Sequence, residues 1–493
     1  MNAAPISTSP RTTSLPRKGD LLDLTIDSLA YGGKGVARHD GFVVFVQRAL
    51  PGQKVRVRIT LRRKGYAEGQ VEELLQPSPD TEQPRCAHFG ICGGCATQDY
   101  PYEKQLEQKQ AQVQDLFARL GGFADVEVQP IIGCRESYHY RNKMEFTFSP
   151  HPWIVDLDKT ASAPSWALGL HVPGRFDKVL DIHECWLQHP VANGILQWAK
   201  SKVEDLDLEP YDIKTHTGFL RNLVIRMTGI ASGSLEVMVN LVTSREQPQR
   251  LKPLVDELVA AFPQVVNVMN NINTRKAAVA YGEWEVLLHG KPIITEQIRG
   301  LAFDISANSF FQTNARQAEA LYELIEQACA LTGKEIVYDL YSGAGTIALT
   351  LAHQAKEVAG FEVVSPAVED AARNALTNQI YNARFFHADL SSRYFTSHGK
   401  RLQRQIPPPD VIVTDPPRAG MHPKLVEEII AMGPRRVVYV SCNPATQVRD
   451  VRLLGDSGYR PVTIQPVAMF PHTPHIENLC VLDQPGARQG GEP

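Results

Sequence analysis

The chain has 493 residues, 43% of them hydrophobic and 21% charged, with a formal net charge of −3 at pH 7. These are ordinary values for a multidomain enzyme of about three domains. No run of about eighteen apolar residues is present, which excludes a bilayer-spanning helix, and the slightly acidic balance means that any nucleic-acid surface is local rather than global. Eight cysteines, three of them within ten residues, are too few and too uneven for a disulfide scaffold and point to a reducing compartment, the cytoplasm.

Residues 1–16 combine Ser, Thr and Pro with one Arg, no acid and no apolar core. They are expected to form a disordered tail, with an organelle-targeting peptide as the alternative, and not a secretory signal. Residues 17–77 read as a small OB-like barrel of about five strands, because short alternating runs (Leu22 to Ile26, Phe42 to Val46, Val55 to Ile59) are separated by glycine turns. From Arg17 to Gln70 eleven Lys/Arg face five acids, an excess of +6. Such a barrel suits single-stranded nucleic acid, its cations tracking phosphates; a solvated tether between domains is the plainer reading.

Residues 78–292 have a mixed α+β pattern, with a polar helix from Tyr102 to Leu120 and strands near Lys143, Leu220 and Leu235. The region opens with Cys86-x5-Cys92-Gly93-Gly94-Cys95, in which glycines let the backbone fold around a metal centre. Three thiolates need a fourth ligand, and zinc and an iron–sulfur cluster are both open here. Tyr138-His139-Tyr140-Arg141-Asn142-Lys143 interleaves aromatics with cations, so Tyr140, Arg141 and Lys143 are candidate RNA contacts; an edge strand with a polar face is the alternative. Asp156 to Ala163 is expected to be a loop, and Cys134, Cys329 and Cys480 buried apolar cysteines.

From 293 to 485 strands alternate with helices, the pattern of a doubly wound, Rossmann-like sheet, and 486–493 form a tail. Strand Ile336–Leu340 runs into Tyr341-Ser342-Gly343-Ala344-Gly345-Thr346 and a helix, a turn that lets a ligand approach backbone N–H groups. Glu362 ends the next strand and suits ribose hydroxyls, which fits NAD as well as S-adenosylmethionine. Asp389 after strand three and Asp415-Pro416-Pro417-Arg418 after strand four favour methyl transfer. The Pro-Pro turn also occurs in amino-group methyltransferases, but those need no cysteine. Cys442, in Ser441-Cys442-Asn443-Pro444-Ala445-Thr446, is therefore read as a nucleophile.

The glycine turn at Asp339 to Gly345, the Asp415–Arg418 turn, the Cys442 stretch and Pro474-His475-Ile476-Glu477-Asn478, in this order, resemble the RNA uracil-C5 methyltransferase family, and the resemblance covers nearly the whole chain. It implies S-adenosylmethionine as methyl donor, Cys442 as nucleophile and Glu477 as base. It places Gln312, Tyr341, Gly343, Thr346, Glu362, Asp389 and Asp415 around the cofactor, Thr346 standing where many relatives have Asn. The barrel, with Gly32-Gly33-x-Gly35-Val36-Ala37, resembles the TRAM module. The cysteine spacing resembles the family's 4Fe–4S loop, completed by Cys185 and expected to be structural. The implied substrate is RNA, ribosomal rather than transfer RNA, acted on by a monomer; a non-enzymatic RNA-binding or iron–sulfur sensor protein is the competing class.

Overall fold

The computed structural model describes residues 15–155, 164–277 and 279–484. The expected loop 156–163, the tail 486–493 and all but the end of the tail 1–16 lie outside the described residues. Contacts divide the chain into two compact units, one formed by residues up to Pro84 with Ala96–Gln108, the other by Arg85–Cys95 with the chain from Lys109 onward.

Residues up to Pro84 form an all-β sheet of β1 (Leu21–Thr25), β2 (Ser28–Leu29), β3 (Gly35–His39), β4 (Phe42–Gln47), β5 (Lys54–Arg62) and β6 (Tyr66–Gln76), in the order β1-β5-β6-β4-β3-β2. Six strands form rather than five, because the two residues of β2 pair with the start of β3. Alternation sets the inside: on β5, Val55, Val57 and Ile59 are buried with Leu24, Val44 and Ala67, while Lys54 and Arg58 point out. Part of the cationic excess is neutralised by acids beyond Gln70. Arg56 pairs with Asp23 and Glu73, and Arg58 with Glu72, while Lys34 pairs with Glu68. At the β5–β6 turn Arg62, Arg63 and Lys64 remain exposed.

Helix α1 (Tyr102–Asp115) ends in a π turn, Leu116–Gly121. In the second unit a seven-stranded sheet joins β7 (Lys143–Ser149), β8 (Ala167–His171), β9 (Val179–Asp181), β10 (Leu220–Thr228), β11 (Glu236–Thr243), β12 (Val265–Ile272) and β13 (Trp284–Gly290), in the order β13-β12-β11-β10-β7-β8-β9. Helices α2 (Pro190–Asp205) and α3 (Pro248–Ala261) bury their apolar faces against Phe146, Phe148, Leu223 and Ile225. Met238 and Met269, by contrast, join the core shared by the hairpin β14 (Ile293–Ile298)–β15 (Leu301–Ser306) and the carboxyl-terminal sheet.

That last sheet contains β16 (Ile336–Leu340), β17 (Glu357–Glu362), β18 (Ala383–His387), β19 (Val411–Thr414), β20 (Arg436–Ser441), β21 (Arg460–Val467) and β22 (Glu477–Asp483), in the order β18-β17-β16-β19-β20-β22-β21. Neighbours are parallel except β22, which runs antiparallel to β20 and β21. Helices α4 (Ala315–Cys329), α5 (Thr346–Ala352), α6 (Ser365–Thr377), α7 (Tyr394–Gln403), α8 (Pro423–Met432) and α9 (Pro444–Gly455) connect or flank the strands. The central strands β16, β19 and β20 are buried almost throughout, as runs such as Ile-Val-Tyr-Asp-Leu require when helices cover both faces. Among the described residues no helix is long and apolar enough to cross a membrane.

Candidate active site at the carboxyl edge of the parallel sheet

Strand order reverses between β16 and β19, and a cavity of about 350 Å³ opens at that crevice. Tyr341 follows β16, Val363 follows β17, Ala388 to Ser391 follow β18, and Pro417 and Ala419 to Pro423 follow β19; all line it, with Arg449 of α9. The expected cofactor residues Tyr341 and Asp389 are thus brought together, whereas Gln312, Gly343, Thr346, Glu362 and Asp415 do not line this cavity.

Tyr341 takes a left-handed backbone, φ 66°, which a bulky residue adopts only under constraint, and its N–H donates to Phe361 O at 2.9 Å. Burial pushes its phenol up to about 12. Glu362 accepts from the backbone N–H of Gly343 (3.0 Å), Val363 (2.8 Å) and Val364 (2.9 Å), which fixes its carboxylate at the end of β17. Gly343, at φ 52°, has open space where a Cβ would stand. Thr346 starts α5, and its hydroxyl accepts from Tyr322 OH at 3.1 Å. The Ser391 hydroxyl and N–H hold the Asp389 carboxyl below its usual range. Gln312 lies between β15 and α4; its carbonyl accepts from Asn142 Nδ2 at 3.1 Å, and Asn142 N donates to Thr313 O at 2.9 Å. Two motifs distant in sequence are tied together there.

Cys442, Asp415 and Glu477 meet because three strand ends coincide. Thr414 pairs with Tyr439 of β20, and Ser441 pairs with Asn478 of the antiparallel β22, so Asp415 and Cys442, just past their strands, and Glu477, the first residue of β22, lie at one edge of the sheet. Loop hydrogen bonds lock the arrangement: Asn443 Nδ2 and Thr446 Oγ1 both donate to Arg418 O, at 2.9 and 3.2 Å. Burial first, then the charges of Glu477 and Asp415, push the Cys442 thiol up to about 11, and Arg418 acts the other way. Burial raises both carboxyls as well, Asp415 to about 7 and Glu477 well above its ordinary value, and the charge of Asp415 adds to the latter. One Nη2 of Arg418 lies 3.2 and 3.3 Å from the ring nitrogens of His475, which burial and the Arg418 charge draw down to about 4, leaving a neutral ring.

Arg418, His475, Met421 and Arg449 were not singled out as site residues by sequence reasoning. Arg418 sits inside a motif that was, and His475 is two residues from Glu477, so adjacency could have found these two; Arg449 carries no sequence signal.

The Tyr140 ring is 7% exposed and its hydroxyl donates to Pro471 O at 3.0 Å, so it offers no face to a base in this structure. The half-buried tyrosine of that stretch is Tyr138, with the Arg85 guanidinium 4.5 Å from its ring and the His472 ring tilted against it at 4.4 Å. Arg141 Nε donates to Lys143 O at 3.0 Å, and the Lys143 ammonium pairs with Glu145 at 2.7 Å.

The cysteine loop stands beside Cys185, since His183 N donates to His88 Nε2 at 3.0 Å and the two rings stack. Burial raises the Cys92 and Cys185 thiols; Cys185 and Cys86 add to the rise at Cys92, and Cys86 to that at Cys185. Backbone N–H groups of His88 and Phe89 point at Cys86 sulfur, Gly94 at Cys92, and Leu187 and Gln188 at Cys185. Cys95 acts on the Tyr140 hydroxyl, as does Cys185. Among the described residues no three His, Cys, Asp or Glu side chains converge closely enough to hold a metal ion. Cys329 and Cys480 are buried, but Cys134 is half-buried and its thiol donates to Ala468 O at 3.0 Å, so it is not an inert apolar cysteine.

Comparison with known proteins places this geometry in context. Residues 292–484 match the tRNA (uracil-5-)-methyltransferase family and residues 17–71 the TRAM domain. An uncharacterised RNA methyltransferase of Porphyromonas gingivalis is 42% identical over 474 residues, covering 93% of this chain and 99% of the relative. Another, from Chlorobaculum tepidum, is 41% identical over 95% of this chain and 97% of its own. Among solved structures, the Pyrococcus abyssi tRNA (uracil-54, C5)-methyltransferase, crystallised with S-adenosyl-L-homocysteine, is 28% identical with a TM-score of 0.70, covering 94% of this chain and all of the other. The all-β amino-terminal region, the methyltransferase sheet and these full-length relatives agree, and the chain belongs to the RNA (uracil-5-)-methyltransferase family.

Proposed function

We propose that this protein methylates carbon 5 of a uracil in RNA, with Cys442 as covalent nucleophile and Glu477 as base. The observation that carries the reading is the meeting of Cys442, Glu477 and Asp415 at one sheet edge, next to a cavity bounded by the loop that follows Asp415. Tyr341 and Asp389 in the cavity wall, together with Glu362, Gly343, Thr346, Gln312 and Asp415 outside that wall, would hold S-adenosylmethionine, which when bound supplies an electrophilic methyl group. The fixed carboxylate of Glu362 suits ribose hydroxyls, and the open space at Gly343 leaves room for a ligand.

Carbon 5 of uracil is not nucleophilic by itself. Addition of the Cys442 sulfur to C6 moves the C5–C6 electron pair towards C5 and the C4 oxygen, making C5 an enolate carbon. Once C5 is substituted, Glu477 takes its proton; the released pair re-forms the C5–C6 double bond and the C6–S bond breaks with its electrons on sulfur. A carboxyl raised by burial is a stronger base than an exposed one, which suits that step. Asp415 would hold the uracil edge or the cofactor.

RNA carrying 5-fluorouracil tests the chemistry, since fluorine cannot leave as a proton does. The wild-type protein is expected to form a covalent adduct that survives denaturation, and Cys442→Ala none. Tight RNA binding without an adduct would favour the non-enzymatic reading. The substrate we infer is ribosomal RNA; a transfer RNA is the second reading, favoured by the full-length match to the Pyrococcus abyssi tRNA enzyme. Mapping 5-methyluridine in RNA from cells lacking the protein, with and without the wild-type gene restored, separates them and names the site.

We further propose that Cys86, Cys92, Cys95 and Cys185 hold a 4Fe–4S cluster in a cytoplasmic monomer. N–H groups aimed at three of the sulfurs are the surroundings that cluster thiolates use, and a cubane spaces its ligands more widely than a single zinc ion does. Anaerobically purified protein is expected to contain about four irons and as much acid-labile sulfide per chain, and Cys185→Ser less of both. One bound zinc instead would reject the cluster.

A further inference from the structure

Segment Ala468–Ile476, which joins β21 to β22, carries His475 and delivers Glu477 to the reaction centre. Connections of this kind usually leave their carbonyls to water. Here four successive carbonyls are taken by side chains from other parts of the second unit. Cys134 Sγ donates to Ala468 O at 3.0 Å, Asn314 Nδ2 to Met469 O at 2.9 Å, Lys109 Nζ to Phe470 O at 3.2 Å and Tyr140 OH to Pro471 O at 3.0 Å. The donors come from α1, from the N-cap of α4 and from two places in the stretch before β7. Three of them are almost inaccessible: Asn314 is 2%, Lys109 4% and Tyr140 7% exposed. Asn314 Nδ2 also reaches Cys134 Sγ at 3.4 Å, joining two of the four donors.

Lysine is rarely buried so completely, because its ammonium loses its hydration. Spending one on the carbonyl of a loop is costly as mere packing. It is reasonable where the position of that loop decides a rate. The strap it secures ends six residues before Glu477, and Thr473 Oγ1 donates back to Phe470 O at 2.8 Å, stiffening the return.

We propose that Lys109, Cys134, Asn314 and Tyr140 are positioning residues that fix the 468–471 strap and thereby the Glu477 carboxyl, so that proton removal from C5 depends on them more than Cys442 addition does. This rests on the reading of Glu477 as the base.

The test separates the two half-reactions in Lys109→Met, Tyr140→Phe and Glu477→Gln. Adduct formation with 5-fluorouracil RNA reports addition; release of tritium from C5 of ordinary labelled RNA reports proton removal. Both positioning variants are expected to slow tritium release roughly ten- to hundredfold, Tyr140→Phe less than Lys109→Met. They are also expected to accumulate covalent complex with ordinary RNA, as Glu477→Gln does, while the fluorouracil adduct forms at the wild-type rate. Lys109→Arg, which keeps a cationic donor, is expected to recover part of the loss. Equal slowing of addition and release would make the residues merely structural and overturn the proposal, as would wild-type behaviour in both variants. If Glu477→Gln itself accumulates nothing, the base assignment fails, a result distinct from trapping by Glu477→Gln alone. Tyr140→Phe removes a single oxygen and keeps the test open should Lys109→Met not fold.

Discussion

A half-buried thiol pushed up to about 11 is almost wholly protonated near neutral pH, so a nucleophilic Cys442 depends on whatever favours its thiolate. Two features do: the Arg418 charge, and the position of Cys442 immediately before Asn443, the N-cap of α9, where backbone N–H groups gather positive potential. The charges of Glu477 and Asp415 oppose them, so proton uptake by the acid pair also helps the nucleophile. Replacing Arg418 by Met removes a cation that lowers the thiol. The pH limb of Cys442 alkylation by iodoacetamide, followed by peptide mass spectrometry, should therefore move to higher pH, with slower fluorouracil adduct formation at pH 7.5. An unmoved limb would show that Arg418 does not tune the thiol. Of the residues of this step, Cys442 was legible in sequence, while Arg418, three after Asp415, lay inside a recognised motif without being assigned a role. Lys109 was not legible: it lies among glutamines in a polar helix, and only the folded chain brings it against Phe470.

At the scale of elements, periodicity identified most of the strands that matter. Ile336–Leu340 is a strand over the residues expected, and the sheet edge follows from where such apolar runs stop. Reading along the chain could not show which strand ends lie together; β22 inserts antiparallel between β20 and β21, and that reversal alone brings Glu477 to Cys442. The same limit explains Tyr140, whose alternation with cations suggested a base grip while its hydroxyl serves the strap. In the β1–β6 sheet, Glu72 and Glu73 lie just beyond the cationic stretch Arg17–Gln70 and take up Arg58 and Arg56. Exposed cations remain at the β5–β6 turn, Arg62, Arg63 and Lys64. Replacing all three by Ala should weaken RNA binding and flatten its dependence on log salt by about two, the expectation for three lost contacts to single-stranded RNA. An unchanged slope in filter-binding or anisotropy titrations would move the RNA path away from this turn.

At the scale of the whole molecule, the reaction centre works against the stability of the fold. Asp415 and Glu477 both take up protons more readily in the folded protein than carboxyls do in an unfolded chain, where Asp titrates near 3.9. Between about pH 4 and about 7 the folded state therefore binds more protons than the unfolded one, and stability contributed by these groups falls as pH rises through that window. His475, drawn down to about 4, changes in the opposite sense over part of the same range, since its neutral ring favours the folded state as pH rises. The raw stability curve mixes the two, and a difference between proteins isolates the acids. Asp415→Asn cannot ionise, and it also removes the charge that raises Glu477. Its urea midpoint relative to wild type should thus increase from pH 5 to pH 8, while methyl transfer falls. A wild-type-to-variant gap that stays constant across that range would mean that Asp415 titrates normally, and that the acid pair is not held protonated for Cys442. A growing gap would show that the protein accepts a less stable fold as pH rises towards neutrality, in return for a carboxyl pair poised to exchange protons beside Cys442, the proposed nucleophile.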